Sequence, residues 1–191
     1  MQEIPLFPLR TVLFPGGLLP LRIFEPRYVD MVGRCMRQSE VFGVVLLESG
    51  AETAGPVVTA QVGTTARIID FQTLPDGLLG LLCRGEQRFR ILSRRVQSDY
   101  LHCASVEWFA DAPPLSIAPE FQPLVPVLRE VMTRMGPMNR FLEPRYEDAD
   151  WVGHRFAELL PLEPAQQQQL LELLAPGECL RMLAPMIEAR S

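Results

Sequence analysis

The segment Ile4-Pro5-Leu6-Phe7-Pro8-Leu9-Arg10-Thr11-Val12-Leu13-Phe14-Pro15-Gly16-Gly17-Leu18-Leu19-Pro20-Leu21-Arg22-Ile23-Phe24-Glu25-Pro26-Arg27-Tyr28 decides how the rest of the chain is read. It contains two short apolar strand candidates interrupted by prolines, which cannot donate to a ladder and so belong at strand starts, edges or bulges. Pro15-Gly16-Gly17 supplies the turn between them. A helix start follows: Glu25 is placed as N-cap, Pro26 suits the first helical position, and Phe24 is placed to staple onto Val29. Apolar residues then recur at Tyr28, Met31 or Val32, and Cys35 or Met36, a helical spacing with one buried face.

Working outward, Val41 to Leu47 is a continuous apolar run of strand length, expected to be buried on both faces. Residues 48 to 56 read as a surface loop. Val62 to Leu74 is strand-like, and Leu74-Pro75-Asp76-Gly77 has hairpin turn chemistry, so Leu78 to Arg84 should return antiparallel. Gly85 should break or bulge that strand. In Arg88-Phe89-Arg90-Ile91 the arginines fall on one face and the apolar residues on the other. Tyr100, His102, Ala104, Val106 and Trp108 form a further period-two set. Strands that follow one another without helical crossovers point to an antiparallel or mixed β unit closing on itself.

Ala112-Pro113-Pro114 marks a change of composition. Beyond it Phe121, Leu124 or Val125, Leu128, Val131 or Met132, and Met135 fall near a helical period, stopped by Gly136-Pro137. Val152, Phe156 and Leu159 or Leu160 give a second helix, capped by Asp148 or Asp150 and ended by Pro161. Pro164 opens a third, which runs to Leu173 and Leu174. Leu180, Leu183 and Ile187 give a fourth, which Pro185 should kink or shorten. The division expected is 1–115 for the β-rich part and 116–191 for the helical part, an α+β chain.

The opening motifs Leu6-Phe7-Pro8-Leu9-Arg10, Leu13-Phe14-Pro15-Gly16, Leu19-Pro20-Leu21 and Phe24-Glu25-Pro26-Arg27-Tyr28 resemble the start of the Lon protease N-terminal domain, in its small stand-alone bacterial form. Gly63 to Ile69 and Gly85 to Ile91 are similar to that family's barrel strands. Phe156-Ala157-Glu158-Leu159-Leu160-Pro161-Leu162 and the following glutamine-rich helix are similar to its helical end. The resemblance covers nearly the whole chain. It implies a PUA-like mixed or antiparallel β pseudo-barrel with one early helix, a C-terminal helical bundle, and the holding of polypeptide substrates without catalysis. The implied partners are unfolded or degron-bearing polypeptides, together with an ATP-dependent protease where one exists. These motifs are structural and carry no chemistry.

Composition sets bounds. A chain of 191 residues with 48% hydrophobic and 21% charged residues is of ordinary globular balance. All eighteen basic side chains are arginine, with no lysine. That excludes a Ser-Lys dyad, a Schiff base, a PLP site and a P-loop lysine, each of which needs an amine. A net charge of -5 argues against a mainly nucleic-acid-binding surface. Cysteines 35, 83, 103 and 179 are too scattered for a CxxC metal or redox site, and no cofactor is expected. No secretory leader and no apolar run of about 18 residues is evident, so the expected location is cytoplasmic, with no membrane partner and reduced thiols.

Charge divides unevenly: residues 1–115 hold eleven Arg against twelve acids, and 116–191 hold seven against eleven. Arg84, Arg88, Arg90, Arg94 and Arg95 face only Glu86 across twelve residues, a patch suited to RNA phosphate or acidic peptide, or equally to a solvated strand face balanced by the acidic helices. Arg10, Arg22, Phe24, Glu25, Arg27 and Tyr28 put polar groups beside a proline-rich apolar wall, one edge of a groove for extended peptide; fixing the helix to the β unit is the plainer role for Glu25 and Arg27. Arg88 and Arg90 complete the candidate binding residues. His102 and Cys103 are strand neighbours pointing to opposite faces, so they form no dyad. His154 is expected at an exposed helical position. Met132, Met135, Met138, Met182 and Met186 suit either core filling, the commoner use, or an adaptable apolar surface. The readings carried forward are a polypeptide-binding module, an RNA- or small-ligand-binding PUA-like protein, and a hydrolase with an unrecognised site.

Overall fold

Prolines and glycines set the strand boundaries. A computed structural model describes residues 2–50, 57–110 and 113–189, in which the chain divides into two compact units, Met1–Ala110 and Asp111–Ser191. In the first unit β1 (Gln2–Leu9) and β2 (Leu18–Ile23) precede α1 (Pro26–Gln38), and β3 (Phe42–Ser49), β4 (Val58–Thr73), β5 (Leu79–Val96) and β6 (His102–Trp108) follow. The loop expected over 48–56 lies outside the described residues from 51 onward, as does Ala112 of the compositional break.

The strands form one mixed sheet in the order β2-β5-β4-β3-β1-β6, and β6 pairs again with β5. Five strands are thereby linked in a ring while β2 keeps a free edge. Only β1 and β3 run parallel, with β2 and α1 in the connection between them; the other pairs are antiparallel. Successive side chains enter opposite cores, as the pleat requires. Phe7, Val44 and Cys103 join a cluster with Tyr28, Met31, Val32 and Cys35 of α1, whereas their neighbours Leu6, Val45 and Ala104 join Ile4, Phe89, Ile91 and Val106. The Val41 to Leu47 run is accordingly buried on both sides from Phe42 onward.

Gly85 bulges its strand rather than breaking it. The register slips between Thr64 and Ala66 opposite Arg88 and Gly85, and Gly85 exchanges hydrogen bonds with the Gly16-Gly17 turn (Gly16 N to Gly85 O, 2.8 Å; Gly85 N to Gly17 O, 2.9 Å). A Cβ there would collide with the carbonyl oxygen of Phe14. At the other end of the strand, the Leu74–Gly77 turn closes as its sequence predicts, with Gly77 at φ +82. Tyr100 departs from its period-two set: it sits outside β6, and Leu101 and Cys103 are buried with the first cluster while Ala104 and Val106 serve the second.

The second unit carries α2 (Leu124–Arg134), α3 (Ala149–Leu159), α4 (Pro164–Leu171) and α5 (Glu178–Glu188), with short 3-10 turns at Pro119–Phe121 and Pro137–Phe141. Pro126 falls in the first turn of α2, where its missing N–H would have had no partner. Of the two candidate caps Asp148 is the one used, accepting from Asp150 N at 3.2 Å, while Asp150, inside the first turn, accepts from Gly177 N at 2.7 Å. A Cβ on Gly153 would lie 2.7 Å from Leu180 N, so glycine lets α3 approach α5 closely.

Three expectations fail here, together with one half of a fourth, that Pro185 would shorten its helix. The third helix stops at Leu171, short of Leu173 and Leu174. The fourth runs through Pro185 to Glu188: Pro185 and Arg181 are both on the exposed face, where water can serve the carbonyl that the proline leaves, while Leu183, Ala184 and Ile187 are buried opposite. His154 is buried, not exposed, and Met135, Met138, Met182 and Met186 are exposed, with only Met132 in the core.

All four cysteines are buried and none is in a disulfide. Burial pushes the Cys35 thiol up to about 11 and the Cys83 thiol up to about 12. Cys103 is raised for the same reason. The native protein at pH 8 is therefore expected to leave all four thiols unlabelled by Ellman's reagent over the time in which urea-unfolded chain gives all four. One rapidly titrating thiol in the native state would contradict this burial.

Candidate functional site

The start of α1 organises the candidate residues of the first unit. Glu25 occupies the N-cap position with an extended backbone, but its side chain makes no capping bond. Its carbonyl accepts from Tyr28 N and Val29 N, both at 3.0 Å, while its carboxylate pairs with Arg27 Nη2 at 2.8 Å. A charged guanidinium two residues along outcompetes a neutral amide for the carboxylate. Phe24 and Val29, the residues placed to form the staple, are both exposed, Phe24 at 58%.

Arg27 is almost buried. Its Nη1 donates to the carbonyl oxygen of Tyr100 at 2.9 Å, and its guanidinium lies 4.7 Å from the Tyr28 ring centroid. Tyr28 itself is core, stacked on Phe7 at 4.0 Å. Glu25 and Arg27 thus tie α1 to the β5–β6 turn. Arg22 pairs with Asp76 at the β4–β5 turn, and Arg10 donates to Gly50 O at 3.0 Å. Each of these charges thus has a partner in the fold, Glu25 and Arg27 largely covered and Arg10 and Arg22 at the surface.

Residues absent from the sequence-based candidates add exposed aromatics to the first unit. Leu21 of β2 is opposite Leu81 of β5, which is opposite Phe71 of β4. Cross-strand partners share a face; on it Leu81 is buried in the first cluster and Leu21 packs partly buried against that cluster, while Phe71 is 59% exposed. The alternation of Asp70, Phe71 and Gln72 at a strand end was its only signal. Pro20, exposed on the edge strand, lacks the donor that would invite indiscriminate pairing. Tyr100 at the β5–β6 turn, 73% exposed, is the other addition.

Arg88 and Arg90 form a separate group. Their guanidiniums lie 5.0 and 5.4 Å from the Phe109 ring centroid, and Gln87 Nε2 donates to Phe109 O at 2.9 Å. Other members of the arginine run find local partners. Arg95 forms two bonds with Glu3, at 2.7 and 2.5 Å, and holds that carboxyl below its ordinary range. Arg94 donates to the carbonyls of Thr59 and Ala60. Glu86 is taken by Arg67. His102 is driven down from its ordinary 6.5 by burial first and then by Arg27 and Arg94, so it stays neutral at pH 7. Among the described residues no group of three or more His, Cys, Asp or Glu could hold a metal ion, and no helix is long and apolar enough to cross a membrane.

Comparison with known proteins agrees with this architecture. The family model for the ATP-dependent protease La (LON) substrate-binding domain matches residues 3–189. The chain is 37% identical to a Lon N-terminal domain protein from Xanthomonas campestris, whose crystal structure superposes with a TM-score of 0.80 over 97% of this chain and 98% of that one. The N-terminal domain of a Mycobacterium avium complex Lon protease, 17% identical, shares the fold at a TM-score of 0.60 over 95% and 96% of the two chains. Among full-length relatives, a Cytophaga hutchinsonii Lon protease is 27% identical over 88% of this chain and 22% of its own. A Danio rerio protein named cereblon is 32% identical over 56% of this chain and 25% of its own. The chain spans between 10% and 25% of the length of the curated relatives it matches. By sequence model and by fold, then, this chain belongs to the LON substrate-binding domain family.

Proposed function

We propose that the chain is a non-catalytic module that holds extended or unfolded polypeptide on its first unit. The observation that carries the reading is the free edge of β2, with Phe24 and Phe71 exposed nearby in the chain's pairing, Arg22 held in a surface pair with Asp76 and Arg27 paired with Glu25. Main-chain groups of an extended segment can pair along such an edge, while its apolar side chains settle against exposed aromatics such as Phe24 and Phe71. A protein held here would be handed on to an ATP-dependent protease, as the family's description as the substrate-binding domain of one suggests.

The test is fluorescence anisotropy with a labelled, reduced and carbamidomethylated α-lactalbumin as permanently unfolded probe. Binding is expected in the micromolar range, to weaken about tenfold in Phe24→Ala/Phe71→Ala, as loss of aromatic anchors does, and to change less than about twofold between 50 and 300 mM salt. No binding at tens of micromolar refutes the reading. The Arg88-Phe109-Arg90 stack favours a second reading, an RNA ligand. That reading requires the opposite salt behaviour, a steep fall in affinity for single-stranded RNA, abolished by replacing Arg88 and Arg90.

A further inference from the structure

The β5–β6 connection, residues 97 to 101, is a turn followed by one left-handed residue. Tyr100 N donates to Gln97 O and Gln97 N to Leu101 O, both at 2.9 Å, and Leu101 N is held by Asp99 Oδ1 at 3.0 Å. The left-handed residue is Tyr100, at φ +65. Hairpin loops of this kind take glycine or asparagine at that place, because a Cβ there crowds the backbone. The other non-glycine residue at positive φ among the described residues is Ser39, a small side chain at the end of α1.

A tyrosine in such a position normally needs a packing reason, and Tyr100 has none, since 73% of it is exposed. Its backbone, in contrast, is held firmly. Arg27 Nη1 donates to its carbonyl, and Arg27 is fixed by Glu25. The chain thus spends a largely covered ion pair at the start of α1 on holding the backbone of one strained, exposed aromatic residue. Strain retained where it gives the fold nothing is a mark of a functional position.

We propose that Tyr100 is a polypeptide-contacting residue of the site described above, an aromatic anchor presented rigidly by the Glu25–Arg27 pair to apolar side chains of an unfolded segment. The inference rests on the polypeptide-holding reading and adds a contact at the β5–β6 turn, which Arg27 joins to the start of α1. A rigid aromatic gives large contact area with little ordering cost, which is why tyrosine recurs at binding hot spots.

Stability and binding should therefore move in opposite directions. In Tyr100→Gly and Tyr100→Asn the left-handed backbone is relaxed, and the unfolding temperature is expected to rise by about 3 °C. Affinity for carbamidomethylated α-lactalbumin is expected to fall about tenfold in both. Tyr100→Phe keeps the ring and should bind within about twofold of the wild type at unchanged stability. If both relaxed variants bind as tightly as the wild type while Phe24→Ala binds more weakly, the site stands and Tyr100 is not part of it. If they lose stability together with binding, Tyr100 supports the fold and the proposal is overturned. If the wild type does not bind at all, the polypeptide-holding reading has failed first, and this inference with it.

Discussion

Gly63→Ala is expected to be among the most damaging single-methyl changes in the first unit, lowering its stability by about 3 kcal/mol or more. Gly63 of β4 lies between Val45 of β3 and Phe89 of β5. A Cβ built there would collide with the carbonyl oxygen of Val44 and would come within 2.7 Å of both Phe89 Cζ and Val45 Cγ1. Gly43 of β3 has the same neighbour, since its Cβ would lie 2.6 Å from Phe89 Cζ and 2.9 Å from Leu6 Cδ2. The Phe89 ring, fully buried and set edge-on to Trp108 at 6.3 Å, thus occupies the room that two glycines leave on adjacent strands. Interiors at crystal-like density have no slack to absorb a methyl group against a backbone oxygen. For a chain of this length the loss corresponds to a fall of roughly 10 °C in unfolding temperature. Gly33→Ala in α1 is the control. Its nearest obstacle is the flexible end of Arg37 at 3.3 Å, so the helix should gain about 0.5–1 kcal/mol. Urea unfolding of both variants checks the pair. Adding Phe89→Leu to Gly63→Ala should recover part of the loss if the ring is the obstacle, and equal losses with and without it would remove Phe89 from the explanation.

That glycine shows why some features were readable in the sequence and others were not. Strand runs, the turn at Leu74–Gly77 and the start of α1 at Pro26 depend on local chemistry, and all three appear where spacing and turn residues put them. Gly43 and Gly63 owe their roles to Phe89, twenty-six or more residues away, and no local pattern announces such a meeting. The arginines fail for the same reason. A run from Arg84 to Arg95 reads as a basic patch because the partners that neutralise or engage it, Glu3, the Thr59 and Ala60 carbonyls and Phe109, come from distant parts of the chain. In the candidate site Phe24, Glu25 and Arg27 were legible from the helix-start signature. Tyr100 was read as one more alternating strand residue, since a left-handed backbone on a tyrosine runs against the preference that sequence reading relies on. Pro185 is the converse: a local rule predicted a break, and burial of Leu183, Ala184 and Ile187 carried the helix past it.

In the second unit, Glu158→Ala is expected to destabilise by about 3 kcal/mol, more than replacing the buried cation that it faces. Arg155 is 1% exposed on α3, the largest side chain buried so completely. Its Nη2 donates to Glu158 Oε1 at 3.0 Å, and its guanidinium lies 5.5 Å from the Trp151 ring centroid. Burial is the leading influence on Arg155 and drives its pKa down, with the Glu158 carboxylate acting the other way. A guanidinium cannot escape this by losing its proton, because it stays charged at any pH at which the fold exists. Removing the carboxylate therefore leaves a charge in an apolar setting with its main counterweight gone. Arg155→Met removes the charge itself and fills a similar volume, so the cost of desolvation disappears with the attraction, and the net change should stay within about 1 kcal/mol. The order of the two variants is what separates this account from simple loss of packing, under which truncating the half-exposed Glu158 would be the milder change and losing the buried Arg155 the severe one. Urea denaturation of the two single variants and of Glu158→Ala/Arg155→Met decides between them. The double variant should be more stable than Glu158→Ala alone, because the stranded charge is then absent.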